Sequence, residues 1–252
     1  MKKISFLIIL LMVILSLSIS SQNQLSGLVV IIDPGHGGLD TGAVVYLNKR
    51  VPVIESVYAY DVVLRLERML LNKGAIVFKT TKNNNTINNE DTIKLYPKTF
   101  FSIDGSIAER GKVGLNKRTS FANLKARKYH NLKVVFISIH FDISYSGYFG
   151  MRVIKGNHDT IYNFIRTGFE ENYLLSNSPN PILKNGDKAN GIGRKYVLGG
   201  MNSINNKILI ELANLKNEKD LSRVLNANMR ENYAFIISFA LEKYMNEFSL
   251  NK

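Results

Sequence analysis

The stretch Leu28-Val29-Val30-Ile31-Ile32-Asp33-Pro34-Gly35-His36-Gly37-Gly38 decides the fold. Its first half is an unbroken apolar run rich in β-branched residues, the pattern of a strand buried on both faces. Its second half is a turn punctuated by proline and glycine that carries a histidine. Two later stretches share this layout. Phe136-Ile-Ser-Ile-His140 and Ile208-Leu-Ile-Glu211 are apolar runs that end on one polar residue.

Between these strands the spacing turns helical. After Glu55, the residues Ala59, Val62, Val63, Leu66, Met69 and Leu70 recur at i, i+3, i+4, i+7, and Gly74 stands where a helix stops. Residues 75–81 return to strand character. A helix is predicted from Thr119 to about Tyr129, a strand over 133–140, a neighbouring strand over 150–155 and a helix from Asp159 to about Leu175. Residues 176–193 read as a loop and 206–211 as a last strand. Asn217 caps a closing helix with Asp220 at its third position. Strands alternating with helices imply an α/β fold: a single mostly parallel or mixed sheet of about six strands, flanked by helices on both faces. Residues 82–114 hold Asn, Lys and Thr with scattered Gly and Pro, and read as a long surface insertion.

In open α/β sheets the ligand lies beyond the carboxyl ends of the strands. Three strand ends therefore bring His36, His140 and Glu211 together, and Glu55, in the first turn of a helix, approaches from the side. Two neutral imidazoles and a carboxylate are a catalytic zinc set that leaves a position open for water. A further carboxylate is needed to move the proton. Two glutamates suffice for both jobs, and spacing leaves open which does which. Gly35, Gly37 and Gly38 allow the backbone close to a ligand. The turn matches neither nucleotide-binding glycine fingerprint. His130 and His158, among polar neighbours, read as ordinary surface histidines.

The bulk composition sets the context. Across 252 residues, 45% are hydrophobic and 21% charged, which suits one sizeable globular domain. No cysteine is present, so thiolate zinc sites, disulfides and a cysteine nucleophile are excluded. The net charge of +13 attracts polyanions: nucleic acid, anionic lipid or a carboxylate-rich wall. Residues 1–21 have the layout of a signal peptide or an N-terminal membrane anchor, with Lys2 and Lys3 before an apolar run over 4–19 and small residues after it. Residues 22–252 are then an exported catalytic domain, periplasmic or otherwise extracytoplasmic. Nucleic acid drops out as a partner, and membrane contact falls to the N-terminal segment.

Asp33-Pro-Gly-His36-Gly-Gly-x-Asp40-x-Gly-Ala43 resembles the opening motif of the zinc-dependent N-acetylmuramoyl-L-alanine amidases of the AmiC-like (Amidase_3) family. Glu55 follows at a suitable distance. Leu115-Asn-Lys-Arg118 through Asn123, then Phe136 to His140, is similar to the second block, and Ile208 to Leu212 with Asn217 and Asp220 to the third. The resemblance implies zinc on His36, Glu55 and His140, with Glu211 as the catalytic carboxylate. It implies hydrolysis of the amide between N-acetylmuramic acid and L-alanine of the stem peptide, in wall remodelling or daughter-cell separation. Peptidoglycan is the expected substrate and an activator protein a further candidate partner. A zinc exopeptidase on wall peptides and a non-catalytic wall-binding module are the alternatives. Asp33, Asp40 and Asp142 are candidate partners for the ligand histidines. Phe141 after the second histidine, and Ala213 and Asn214 after the glutamate, depart from the family pattern and bear on subsite shape.

Overall fold

A computed structural model of the chain describes residues 23–84, 86–93, 101–102, 104–143, 149–156, 160–175 and 197–250. The apolar leader and the loop over 176–193 lie outside the described residues. Among the described residues, no helix is long and apolar enough to cross a membrane.

Strand β1 (Leu28–Pro34) is buried along its whole length. It lies between β4 (Ile76–Lys79) and β7 (Lys133–Asp142), parallel to both, and β7 pairs in parallel with β9 (Asn206–Asn214). Strand β8 (Arg152–Lys155) closes the edge antiparallel to β9, giving a five-stranded mixed sheet ordered β4-β1-β7-β9-β8. Successive side chains of a strand point to opposite faces. Leu28, Val30 and Ile32 accordingly join the larger core, with α1 (Glu55–Asn72), α3 (Thr160–Leu175) and α5 (Ala227–Leu250). Val29 and Ile31 join a smaller core on the other face with α2 (Gly111–Lys128).

Several boundaries differ from the sequence reading. Helix α2 starts at Gly111 rather than Thr119. Its moderate apolar content before Thr119 hides that start. The closing helix is two: α4 (Glu218–Leu225), capped by Asn217 as expected, and α5. Asn226, with an extended ψ of 118°, breaks the run, and its side chain accepts from the N–H groups of Asn228 and Met229 to cap the second piece. A hairpin of β2 (Val44–Leu47) and β3 (Val51–Ile54) precedes α1, turning through Asn48 and Lys49 at positive φ.

The surface excursion is anchored. Its start pairs, as β5 (Thr81–Lys82), with β6 (Phe101–Ser102) farther along it. Between them, Asn88 N–H donates to Asp61, while Arg65 and Arg230 donate to the Asn88 carbonyl at 2.6 and 3.0 Å. Arg230 is fully buried and also donates to Asp61, Glu90, Val224 and Leu225. Each buried charge is therefore paired or hydrogen-bonded, as burial requires.

Candidate metal centre and catalytic cleft

Helix α1 begins with no side-chain cap. The N–H groups of a helix start need acceptors, and here the loop after β1 supplies them. Glu55 N–H donates to Ala43 O at 2.9 Å and Ser56 N–H to Thr41 O at 3.2 Å. In return the Ala43 N–H donates to Glu55 Oε2 at 2.7 Å. The loop that carries His36 and the helix that carries Glu55 are thus one hydrogen-bonded unit.

This unit meets the end of β7. Glu55 Oε1 lies 3.2 Å from His36 Nε2 and 2.9 Å from His140 Nδ1, and it accepts the Phe141 N–H at 3.1 Å. The two imidazoles pack edge to face, with centroids 5.0 Å apart. His36 sits at φ 62°, a left-handed conformation uncommon for a non-glycine residue. The backbone also passes unusually close. A Cβ on Gly35 would stand 2.5 Å from the His140 ring, and one on Gly42 would stand 2.5 Å from Glu55 Oε2.

One ligand atom from each of His36, Glu55 and His140 lies within 4.8 Å of the others. Two imidazole nitrogens and one carboxylate oxygen are donors that suit a divalent metal. The separations of 3.2 and 2.9 Å approach the ~3.3 Å that tetrahedral ligands at ~2.0 Å impose. Charge reinforces the cluster. Burial opposes ionisation of His36, but Asp40 and Glu55 outweigh it and raise its pKa to about 10. Burial likewise works against the Glu55 carboxylate, yet the two imidazoles hold it well below the ordinary range.

The supporting residues divide as follows. Asp40 Oδ2 is 3.0 Å from His36 Nδ1. Asp33 reaches His140 through Ser138, whose hydroxyl donates to Asp33 at 2.7 Å and lies 3.1 Å from His140 Nε2. Arg118 then holds Asp33 at 2.8 Å and donates to the carbonyls of Pro34 and His36, so the ligand loop is tied down from beneath. Burial would raise the Asp33 pKa, but Arg118, Thr80 and Ser138 together lower it. Asp142 pairs with Arg152 at 3.2 Å. His130 is exposed, as the sequence suggested, and its ring faces the Arg127 carbonyl.

Glu211 stands apart from the three-residue cluster and beside it. The register of β7 and β9 pairs it with His140. Desolvation raises its pKa to about 7, helped by Glu55 and Asp142 and opposed by His140 and Arg152. A carboxylate poised near neutrality at a strand end is a fit general base. Sequence reasoning gave no role to Ser138 or Arg118. Ser138 was legible in principle, two residues before His140 and so on the same side of the strand.

The chain matches a family model described as N-acetylmuramoyl-L-alanine amidase over residues 30–243. No curated protein sequence matches it. Among solved structures it is similar to Cwp6 from Clostridium difficile, at 24% identity and a TM-score of 0.57; 86% of this chain is covered, but only 29% of that one. It is also similar to N-acetylmuramoyl-L-alanine amidase AmiC2 of Nostoc punctiforme, at 18% identity and a TM-score of 0.60, with 88% and 98% covered. The CwlD amidase from Clostridioides difficile, solved in complex with the GerS lipoprotein, is 20% identical with a TM-score of 0.58, covering 86% and 98%. These likenesses carry the α/β fold.

Proposed function

The chain belongs to the N-acetylmuramoyl-L-alanine amidase family, and on that premise we propose that it is a zinc enzyme whose metal is held by His36, Glu55 and His140 and whose general base is Glu211. The observation that carries this reading is the convergence of His36 Nε2 and His140 Nδ1 on one oxygen of Glu55, with Glu211 in register beside His140. The bond cleaved is the amide between N-acetylmuramic acid and L-alanine of the stem peptide.

Zinc bound there supplies a Lewis acid that polarises the scissile carbonyl and lowers the pKa of water to roughly 7. The chain's own residues do the rest. Glu211 takes the proton from the attacking water and delivers it to the leaving nitrogen. Asp40 and the Asp33–Ser138 pair hold the two imidazoles in their tautomers and orientations. Arg118 fixes the backbone of the His36 loop against β1.

The leader supports action outside the cytoplasmic membrane, in wall remodelling or daughter-cell separation. The basic surface suits a substrate rich in stem-peptide carboxylates. The solved complex of a related amidase with a lipoprotein supports an activator protein as a further partner. Mass spectrometry of products from purified peptidoglycan tests the reading. Intact stem peptides beginning with L-alanine, freed from glycan, are expected; release of free amino acids would instead mark an exopeptidase.

A further inference from the structure

The cleft lies at the carboxyl ends of the parallel strands, and the opposite end of the sheet carries features that the reaction does not use. There the described chain begins. Leu25 N–H donates to the Lys73 carbonyl, and Lys133 N–H to that of Gly27, so the segment entering from residues 1–22 meets the sheet where β7 starts. Helix α2 ends at the same place. Its last turns expose Leu124, Arg127 and Lys128, which share one face at i, i+3 and i+4. Asn123 donates to the Met201 carbonyl at 2.9 Å and accepts from Ser203, which sets Met201 beside those turns. Leu124 is 56% exposed and Met201 51%, large apolar side chains left facing solvent.

We propose that this face, made by Leu124, Arg127, Lys128 and Met201, docks on an anionic lipid surface and turns the catalytic cleft away from it. Two independent observations select lipid. The first is charge: α2 contains no acidic residue, and its exposed Arg127 and Lys128 form no ion pair among the described residues, while the half-buried Lys125 lies over the Phe78 and Phe121 rings. Glu242, on the helix layer across the sheet, is taken up by Lys73. Basic residues around exposed apolar ones are the composition of a surface that sits at a headgroup boundary. The second is the chain outside the described residues. Residues 4–19 are mostly apolar and carry no charge, the composition of a signal segment that inserts into a bilayer. Only five residues lie between Ile19 and the buried Leu25, so the two are at most about 20 Å apart. Membrane contact thus extends beyond the N-terminal segment to the folded domain.

The absence of cysteine makes the test direct. Full-length protein carrying Leu124→Cys takes a polarity-sensitive fluorophore at one place, and Val113→Cys, 53% exposed near the other end of α2, serves as the control. Both are reconstituted in vesicles of phosphatidylcholine alone and of phosphatidylcholine with phosphatidylglycerol. A blue shift is expected at position 124 only with the anionic lipid, and none at position 113. Arg127→Gln and Lys128→Gln should each lower the docked-to-undocked ratio about fivefold. Amidase turnover, read in parallel on a soluble fragment, should not change, since none of these residues touches the cleft. A shift in an inactive preparation would therefore count against the proposed chemistry and not against docking. Identical emission at position 124 in both vesicle types would overturn the proposal. So would the same blue shift with soluble polyglutamate and no lipid, which would make the face a general polyanion surface.

Discussion

His140 and Glu211 are cross-strand partners in the carboxyl-terminal halves of β7 and β9, and Arg152 of β8 stands opposite Glu211 from the other side. The half-buried glutamate thus sits between an imidazole and a guanidinium, and desolvation raises its pKa to about 7. Glu55 is buried more deeply, but two imidazoles contact it directly. The same side-chain type has opposite electrostatic settings in the two places.

The two glutamates should therefore fail differently. Glu211→Gln should retain zinc and lose about 10²–10⁴-fold in turnover, the range of a positioned general base. His36→Ala, His140→Ala and Glu55→Gln should lose zinc and activity together. Metal content by elemental analysis, set beside turnover, separates the classes. Zinc loss in Glu211→Gln with zinc retained in Glu55→Gln would reverse the assignments.

Glu211 also links stability to pH. Its folded pKa is raised from 4.5 to about 7, so its contribution is fully present below 4.5 and is lost as pH rises through 7. Glu211→Gln removes that loss. In chelator-treated protein the variant should gain on the wild type between pH 5 and pH 8, by on the order of 1–3 kcal/mol after discounting for its partial exposure. Urea midpoints at the two pH values measure it, and parallel curves would contradict the buried setting of Glu211.

Ser138 offers a subtler test. Replacing it with alanine breaks the link from Asp33 to His140 without touching a donor atom. Zinc affinity should fall about 10–100-fold, as for other residues that orient a metal ligand. Turnover at saturating zinc should stay close to that of the wild type. Competition with a chromogenic chelator reads the affinity directly.

Arg118→Met should destabilise the fold by about 3–5 kcal/mol, because it leaves the buried Asp33 carboxylate without its countercharge. Asp33 is depressed below 3.8, so its contribution is present above that pH and is lost as pH falls through the lower folded value. The double variant Arg118→Met, Asp33→Asn should recover part of the loss at neutral pH. Denaturation of all four proteins closes the cycle; strict additivity would mean that the pair is uncoupled.

The sheet was legible because β1, β7 and β9 are predominantly apolar runs rich in β-branched residues, and burial on both faces demands such runs. Their polar end residues exposed the site for the same reason: a histidine or glutamate closing an apolar strand is out of pattern. The β2–β3 hairpin was not legible. Asn48 and Lys49 both adopt positive φ without a glycine to signal the turn. The start of α2 was also hidden, since three glycines and several polar residues precede Thr119. The support beneath the ligands escaped because Arg118 and Asp33 are 85 positions apart in sequence, and no periodicity joins them.

The clamp on the surface excursion has a consequence for how this chain can change over generations. Arg65 donates to the Asn88 carbonyl and Arg230 to the Asn88 and Glu90 carbonyls, and Asp61 is shared between the two arginines. Deleting the segment would take the Asn88 and Glu90 carbonyl acceptors from two guanidiniums in the interior, leaving them Asp61, Glu231 and the Val224 and Leu225 carbonyls. Deleting the arginines would take the donors from the segment. Neither can be discarded first. A stretch that began as a tolerated addition would in this way become entrenched, kept by the helices that grew to depend on it.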